Sequence, residues 1–151
     1  MRPLGTVLVV DDEPGIRQLA RRILEGQGYT VVEAENGAEA LAIVERGDQV
    51  DFLMTDLDMP VMRGDDMVTR IRAIRPELNV LYVTAYTDQL FKDRALLWEG
   101  EAFLDKPFTP TGLLEAVSLA RWNTIDPPPP KTFSLRHLWD QVKNRSRRPP
   151  R

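Results

Sequence analysis

Thr6-Val7-Leu8-Val9-Val10-Asp11-Asp12-Glu13-Pro14 is an apolar run that stops on acids and then meets a proline. It reads as a strand, followed by a helix that starts near Pro14, a residue favoured at the first helical position. The same pattern recurs along the chain. Phe52-Leu53-Met54 leads into Thr55-Asp56-Leu57-Asp58-Met59-Pro60, Val80-Leu81-Tyr82-Val83 into Thr84-Ala85, and Ala102-Phe103-Leu104 into Lys106-Pro107 just beyond Asp105. In a parallel sheet, residues at the carboxyl ends of strands face one crevice. Carboxylates, a hydroxyl and an ammonium group would meet there. Crowded acids bind a hard cation through oxygen, and a lysine with a hydroxyl suits a phosphoryl group held on that cation.

The intervening segments have helical periodicity. Ile16, Leu19, Ala20, Ile23 and Leu24 form an apolar stripe after Pro14, and Gly26 and Gly28 end it. A second strand is expected over 30–33. Asn36 with Glu39 resembles a capping box and opens a second helix with Leu41 and Val44 inward. The third strand is expected over 51–55. A third helix spans 65–74, with Met67, Val68, Ile71 and Ile74 apolar and Pro76 stopping it. The fourth strand covers 80–84, a fourth helix about 88–98, and the fifth strand 102–104. Thr109-Pro110, a cap followed by a first-turn proline, opens a fifth helix reaching about Trp122. Strands alternating with helices predict an α/β fold: a doubly wound, five-stranded parallel sheet covered on both faces.

Bulk composition agrees. The 151 residues are 42% apolar and 28% charged, ordinary values for one globular domain with a real core. The absence of cysteine excludes disulfides and thiolate metal sites. No apolar run reaches the roughly 18 residues of a membrane span, and no signal-peptide pattern precedes the first acids. A cytoplasmic protein without membrane contact is expected. Charge is uneven: residues 131–151 carry a net +6, leaving −9 on residues 1–130. The change coincides with Pro127-Pro128-Pro129-Pro130, a stiff polyproline spacer. The expected organisation is a domain over 1–126, a linker over 127–130 and a basic tail over 131–151.

Residues 5–122 resemble the receiver domain of two-component response regulators. The resemblance rests on the acid pair after strand one, Asp56 after strand three, Thr84-Ala85 after strand four and Lys106-Pro107 after strand five, with Met59-Pro60 and Gly64 in the loop beyond Asp56. It implies the flavodoxin-like strand order 2-1-3-4-5, with Asp12 and Asp56 flanking the switch-point crevice. It also implies a role for each residue. Asp56 becomes the phosphoacceptor, taking a phosphoryl group from a histidine kinase or phosphotransfer protein. Asp12, Asp56 and the backbone carbonyl of Asp58 ligate Mg²⁺, with Asp11 acting mainly through water. Lys106 and Thr84 hold phosphoryl oxygens, and Thr84, Ala85 and Phe103 belong to the switch. Asp58 and Tyr86 tune phosphoryl lifetime in opposing directions, so its net sign stays open. The implied output surface is helix four, strand five and helix five, docking a downstream protein. The implied peptide bond Lys106-Pro107 is cis. Such a protein is not an enzyme toward other substrates and catalyses only its own phosphorylation and dephosphorylation.

Other readings compete. Asp56-Leu57-Asp58 also fits Asp-x-Asp hydrolases that form aspartyl phosphates, although their acid pair comes late and here it comes first. A degenerate receiver acting as a constitutive binding module is opposed by the full set of site residues. Core packing accounts for Phe103 as well as switching does, and Trp98, Leu119 and Trp122 read equally as core or partner surface. His137 reads as a solvated tail residue. Only 29 residues follow Trp122, which predicts no separate output domain. Within them, Leu135, Leu138, Trp139 and Val142 share one helical face. A helix this short is marginal alone, so that face is expected to dock on protein, either its own domain or a second copy in an arm-exchanged homodimer. Nucleic-acid binding by the basic end is disfavoured because it leaves the apolar stripe unexplained.

Overall fold

A computed structural model describes residues 4–85 and 101–122. Its strands are β1 (Thr6–Val10), β2 (Thr30–Ala34), β3 (Phe52–Thr55), β4 (Asn79–Thr84) and β5 (Glu101–Asp105). Its helices are α1 (Pro14–Gly26), α2 (Gly37–Glu45), α3 (Gly64–Ile74) and a last helix, Pro110–Trp122. The sheet order is β2-β1-β3-β4-β5, and every neighbouring pair is parallel. This is the doubly wound, flavodoxin-like arrangement that the sequence implies. The expected fourth helix, Tyr86, Trp98, the proline spacer and the tail lie outside the described residues, as does the side chain of Trp122.

Alternation along the strands divides the core. Leu8, Val10, Leu53, Val80, Tyr82 and Phe103 face one side, against Ala40, Ile43 and Val44 of α2 and Met67, Val68 and Ile71 of α3. Val7, Val9, Phe52, Met54, Leu81, Val83 and Ala102 face the other, against Ala20 and Leu24 of α1 and Leu113, Val117 and Ala120 of the last helix. Each large side chain buried this way contributes about 1.5–3 kcal/mol. Leu119 is buried too, which settles it as core.

Caps act where the sequence places them. Asn36 Oδ1 accepts the Glu39 N–H at 2.8 Å, and Thr109 Oγ1 accepts the Gly112 N–H at 3.0 Å. Two stripe residues depart from expectation. Leu19 is 39% exposed and Ile74 45% exposed. Leu19 stands one residue, about 100° of helical rotation, from buried Ala20, so it misses the sheet. Ile74 closes the last turn of α3, beyond the residues that pack on the strands. Strand β5 is longer at both ends than the apolar triplet suggests, because its ladder with β4 runs from Val80↔Glu101 to Thr84↔Asp105.

Candidate functional site

The carboxyl edge of the sheet gathers the acids. Beyond the end of β1, the Asp11 N–H donates to the Ala34 carbonyl of β2 at 3.2 Å. Beyond the end of β3, the Asp56 N–H donates to the Val10 carbonyl of β1 at 3.0 Å. The ladders thus run one residue past the strands and fix both acids where the connections reverse. Carboxylate oxygens of Asp11, Asp12 and Asp56 all lie within 4.8 Å of one another. Asp11 and Asp56 are buried, while Asp12 is exposed at the rim.

Lys106 reaches into this cluster from beyond β5. Its N–H donates to the Thr84 carbonyl at 3.2 Å, and the Lys106-Pro107 bond is cis, as the resemblance implies. Its Nζ stands 2.8 Å from Asp11 Oδ2, 3.1 Å from Asp56 Oδ2 and 3.6 Å from Glu13 Oε1. Burial pushes the Asp11 carboxyl above its ordinary range, and the hydrogen bond to Lys106 offsets this only in part. Burial likewise raises Asp56, against the opposing charge of Lys106, and the nearby Asp11 charge adds to the rise. For Lys106, burial favours the neutral amine, but the Asp11 hydrogen bond and the Asp56 charge outweigh it and hold the ammonium above its usual value.

The loop after Asp56 is packed against its own start. A Cβ on Gly64 would lie 2.1 Å from the Asp56 carbonyl oxygen, and the Gly64 N–H donates to the Leu57 carbonyl at 2.8 Å. Only glycine permits that approach. Met62 rests on Gly37, where an added Cβ would come within 3.0 Å of the Met62 Cβ. Val61 between these anchors takes φ 76° and stands 82% exposed, an outlier for a β-branched residue. The Asp58 N–H points back to Asp56 Oδ1 at 3.3 Å, and the Asp58 side chain is exposed.

Thr84 is buried at the end of β4, and Ala85 is exposed beyond it. Phe103 is buried and stacks on Tyr82, its register partner, with ring centroids 5.6 Å apart and planes 15° apart. Phe103 therefore points inward in this structure. Nearby, the Arg72 Nη1 donates to Glu101 Oε1 at 2.7 Å across from α3. Glu101 is fully buried, so this pair is shielded from water.

Two residues to which the sequence reading gave no role of their own also frame the site: Glu13, quoted there only as one of the acids, and Arg17, which it missed. Glu13 approaches Lys106 and donates its N–H to Asp11 Oδ1 at 2.9 Å. Arg17 donates to the Asp11 carbonyl and, through Nε, to Glu33 Oε1 at 3.2 Å. The only sequence signal for the latter is the spacing of Arg17 and Arg21, four residues apart on one helical face.

Oxygen-only donors, two of them buried and crowded, fit a hard divalent cation rather than a soft one. Asp11, Asp12 and Asp56 are the residues that could hold it. The ammonium beside them can neutralise an incoming anion. The arrangement therefore suits a carboxylate nucleophile meeting an anionic electrophile.

Residues 7–118 match the family model of the response regulator receiver domain. The sensor kinase CckA of Brucella abortus (strain 2308) is 37% identical over 106 residues, which are 70% of this chain and 11% of that protein. The transcriptional regulatory protein GlrR of Escherichia coli (strain K12) is 34% identical over 111 residues, 74% of this chain and 25% of that protein. The chain thus spans a quarter or less of either relative. Among solved structures, response regulator protein TrrA of Thermotoga maritima, in complex with Mg²⁺ and BeF, is similar at 33% identity. It superimposes with a TM-score of 0.63 over 74% of this chain and 95% of that one.

Proposed function

Because this chain belongs to the response regulator receiver family, we propose that it is a phosphorylation-dependent switch that accepts a phosphoryl group on Asp56. The observation that carries this reading is Lys106 Nζ set against both Asp11 and Asp56 at the edge where three aspartates converge. An Asp56 carboxylate oxygen attacks phosphorus, the bond to the donor imidazole or acetyl oxygen breaks, and an aspartyl phosphate remains. Like charge opposes that approach. Lys106 faces the phosphoryl oxygens, and the Thr84 hydroxyl donates to one of them. Asp12, Asp56 and the Asp58 carbonyl would hold Mg²⁺, with Asp11 acting through water, and the ion would supply charge neutralisation there. The metal in the similar TrrA structure supports this choice of ion.

The added charge, about −1.5 to −2, then biases a two-state equilibrium. Thr84 and Ala85 respond at the phosphoryl group, with Phe103 beneath, and Asp58 and Tyr86 set the lifetime. The partners are a histidine kinase or phosphotransfer protein upstream and a protein target downstream, met at the face of β5 and its neighbouring helices. Residues 1–126 form the receiver, 127–130 a spacer and 131–151 a basic tail whose apolar face docks on protein, in cis or in a homodimer. The setting is cytoplasmic. Among the described residues, no helix is long and apolar enough to cross a membrane.

Acetyl phosphate with Mg²⁺ tests the reading. One labile phosphoryl group per chain is expected. Sustained release of phosphate over many turnovers would indicate a hydrolase, and no labelling would indicate a degenerate receiver; either result overturns the proposal.

A further inference from the structure

We infer that Arg17, anchored by Glu33, is a positioning residue that orients the peptide joining Asp11 to Asp12 and so sets the affinity of the acid cluster for Mg²⁺. The inference rests on reading Asp11, Asp12 and Asp56 as the Mg²⁺ carboxylates.

A trans peptide unit is planar, and its plane contains both flanking Cα atoms. The carbonyl of Asp11 belongs to the unit that carries the Asp11 and Asp12 Cα atoms together. Arg17 Nη1 donates to that carbonyl at 2.5 Å. On its other side, the Asp11 N–H is held by the Ala34 carbonyl of β2. Asp11 is therefore fixed through both of its backbone polar groups. Rotation about the Asp11 Cα–C bond would swing that carbonyl away from Arg17 and move the Asp12 Cα with it, and so the exposed carboxylate that completes the cluster.

The guanidinium is itself immobilised. Arg17 Nε donates to Glu33 Oε1 at 3.2 Å, and Arg21 Nε donates to Glu33 Oε2 at 2.7 Å. Glu33 sits in β2 opposite Val9, so the anchor is part of the sheet. The Arg17 side chain is 15% exposed, so water competes little for these bonds. Planar, forked donors can reach a carboxylate and a carbonyl at once. A lysine offers a point charge on a flexible stem and cannot reproduce both contacts. Groups that hydrogen-bond and orient the ligands of a metal are commonly worth about 10–100-fold in metal affinity.

Arg21 supplies the internal comparison. It shares Glu33 with Arg17 and also pairs with Glu25, and among the described residues it makes no hydrogen bond or ion pair with Asp11. Arg17→Lys and Arg21→Lys both keep charge and both weaken the hold on Glu33. Only Arg17→Lys removes the donor fork at the Asp11 carbonyl.

The experiment is a MgCl2 titration read as thermal stabilisation of the purified chain, for wild type and the two variants. Arg17→Lys should require about tenfold more Mg²⁺ for half-maximal stabilisation, and Arg21→Lys, which keeps the donor at the Asp11 carbonyl, should shift the midpoint far less. An unchanged midpoint in Arg17→Lys, or equal shifts in both variants, would overturn the positioning role while leaving the metal site intact. A wild-type protein that Mg²⁺ does not stabilise would overturn the metal reading itself, and this inference with it.

Discussion

Lys106 Nζ stands 3.1 Å from Asp56 Oδ2, joining residues fifty positions apart. The contact fixes the electrostatics of the carboxyl edge: one partly buried cation shared by two buried acids. Most of the expected behaviour of the site follows from this imbalance.

Replacing the acceptor relieves it. Asp56→Asn should abolish labelling by acetyl phosphate without lowering stability at pH 7, because an amide is not a nucleophile and carries no charge to crowd Asp11. In metal-free buffer the melting temperature should rise by about 2–5 °C. The sign follows from burial, which raises the folded-state values of Asp56 and Asp11 above the ordinary carboxyl range. A carboxyl raised on folding contributes stability below its unfolded value, and loses it as pH rises through the folded value. The variant's advantage should therefore grow between about pH 4 and pH 7. Melting curves in chelator across that range check it; an advantage that shrinks as pH rises contradicts the assignment.

Removing the cation should do the reverse. Lys106→Met leaves two buried carboxylates without their shared partner, and should lower stability by about 3 kcal/mol in chelator. Mg²⁺ should then stabilise this variant more than wild type, since a second cation can replace the first. Parallel chemical denaturation with and without MgCl2 measures both effects.

Gly64 cannot accept a side chain. The methyl of Gly64→Ala would sit 2.1 Å from the Asp56 carbonyl oxygen, forcing either α3 or the acceptor loop to move. A loss of about 2 kcal/mol is expected, together with slower phosphorylation at saturating Mg²⁺. Wild-type stability and rate in the variant would show that the loop yields freely.

The Arg72–Glu101 pair should behave as a buried ion pair. Glu101→Ala leaves the guanidinium without its carboxylate, with the Leu78 carbonyl still bonded to it, and should cost about 3 kcal/mol, whereas Arg72→Met with Glu101→Leu should recover much of that loss. A double variant as unstable as the single one contradicts this account. Urea unfolding of the three proteins decides between them.

Much of the architecture was legible because its signals are local. Four of the five strands ended on chemistry, Asn36 and Thr109 announced their helices, and the acid pair, Asp56, Thr84 and Lys106 stood at strand ends. What escaped notice is non-local or conformational. Glu101 looked like a loop residue before an apolar triplet, since its burial depends on Arg72 29 residues earlier. Arg17 looked like an ordinary basic residue on α1, because its partner is a backbone carbonyl that composition cannot reveal. Leu19 fitted the helical stripe, but the width of the face that the sheet covers was not readable from periodicity. The left-handed conformation of Val61 was not readable, because valine itself argues against it.

Mapping the phosphoryl group tests the central claim most directly. The chain is treated with acetyl phosphate and Mg²⁺, the acyl phosphate is trapped by borohydride reduction, and the modified peptide is sequenced by mass spectrometry. The account predicts modification at Asp56 alone, absent when chelator replaces Mg²⁺. Modification at another residue, or at Asp56 to the same extent in chelator, would contradict it.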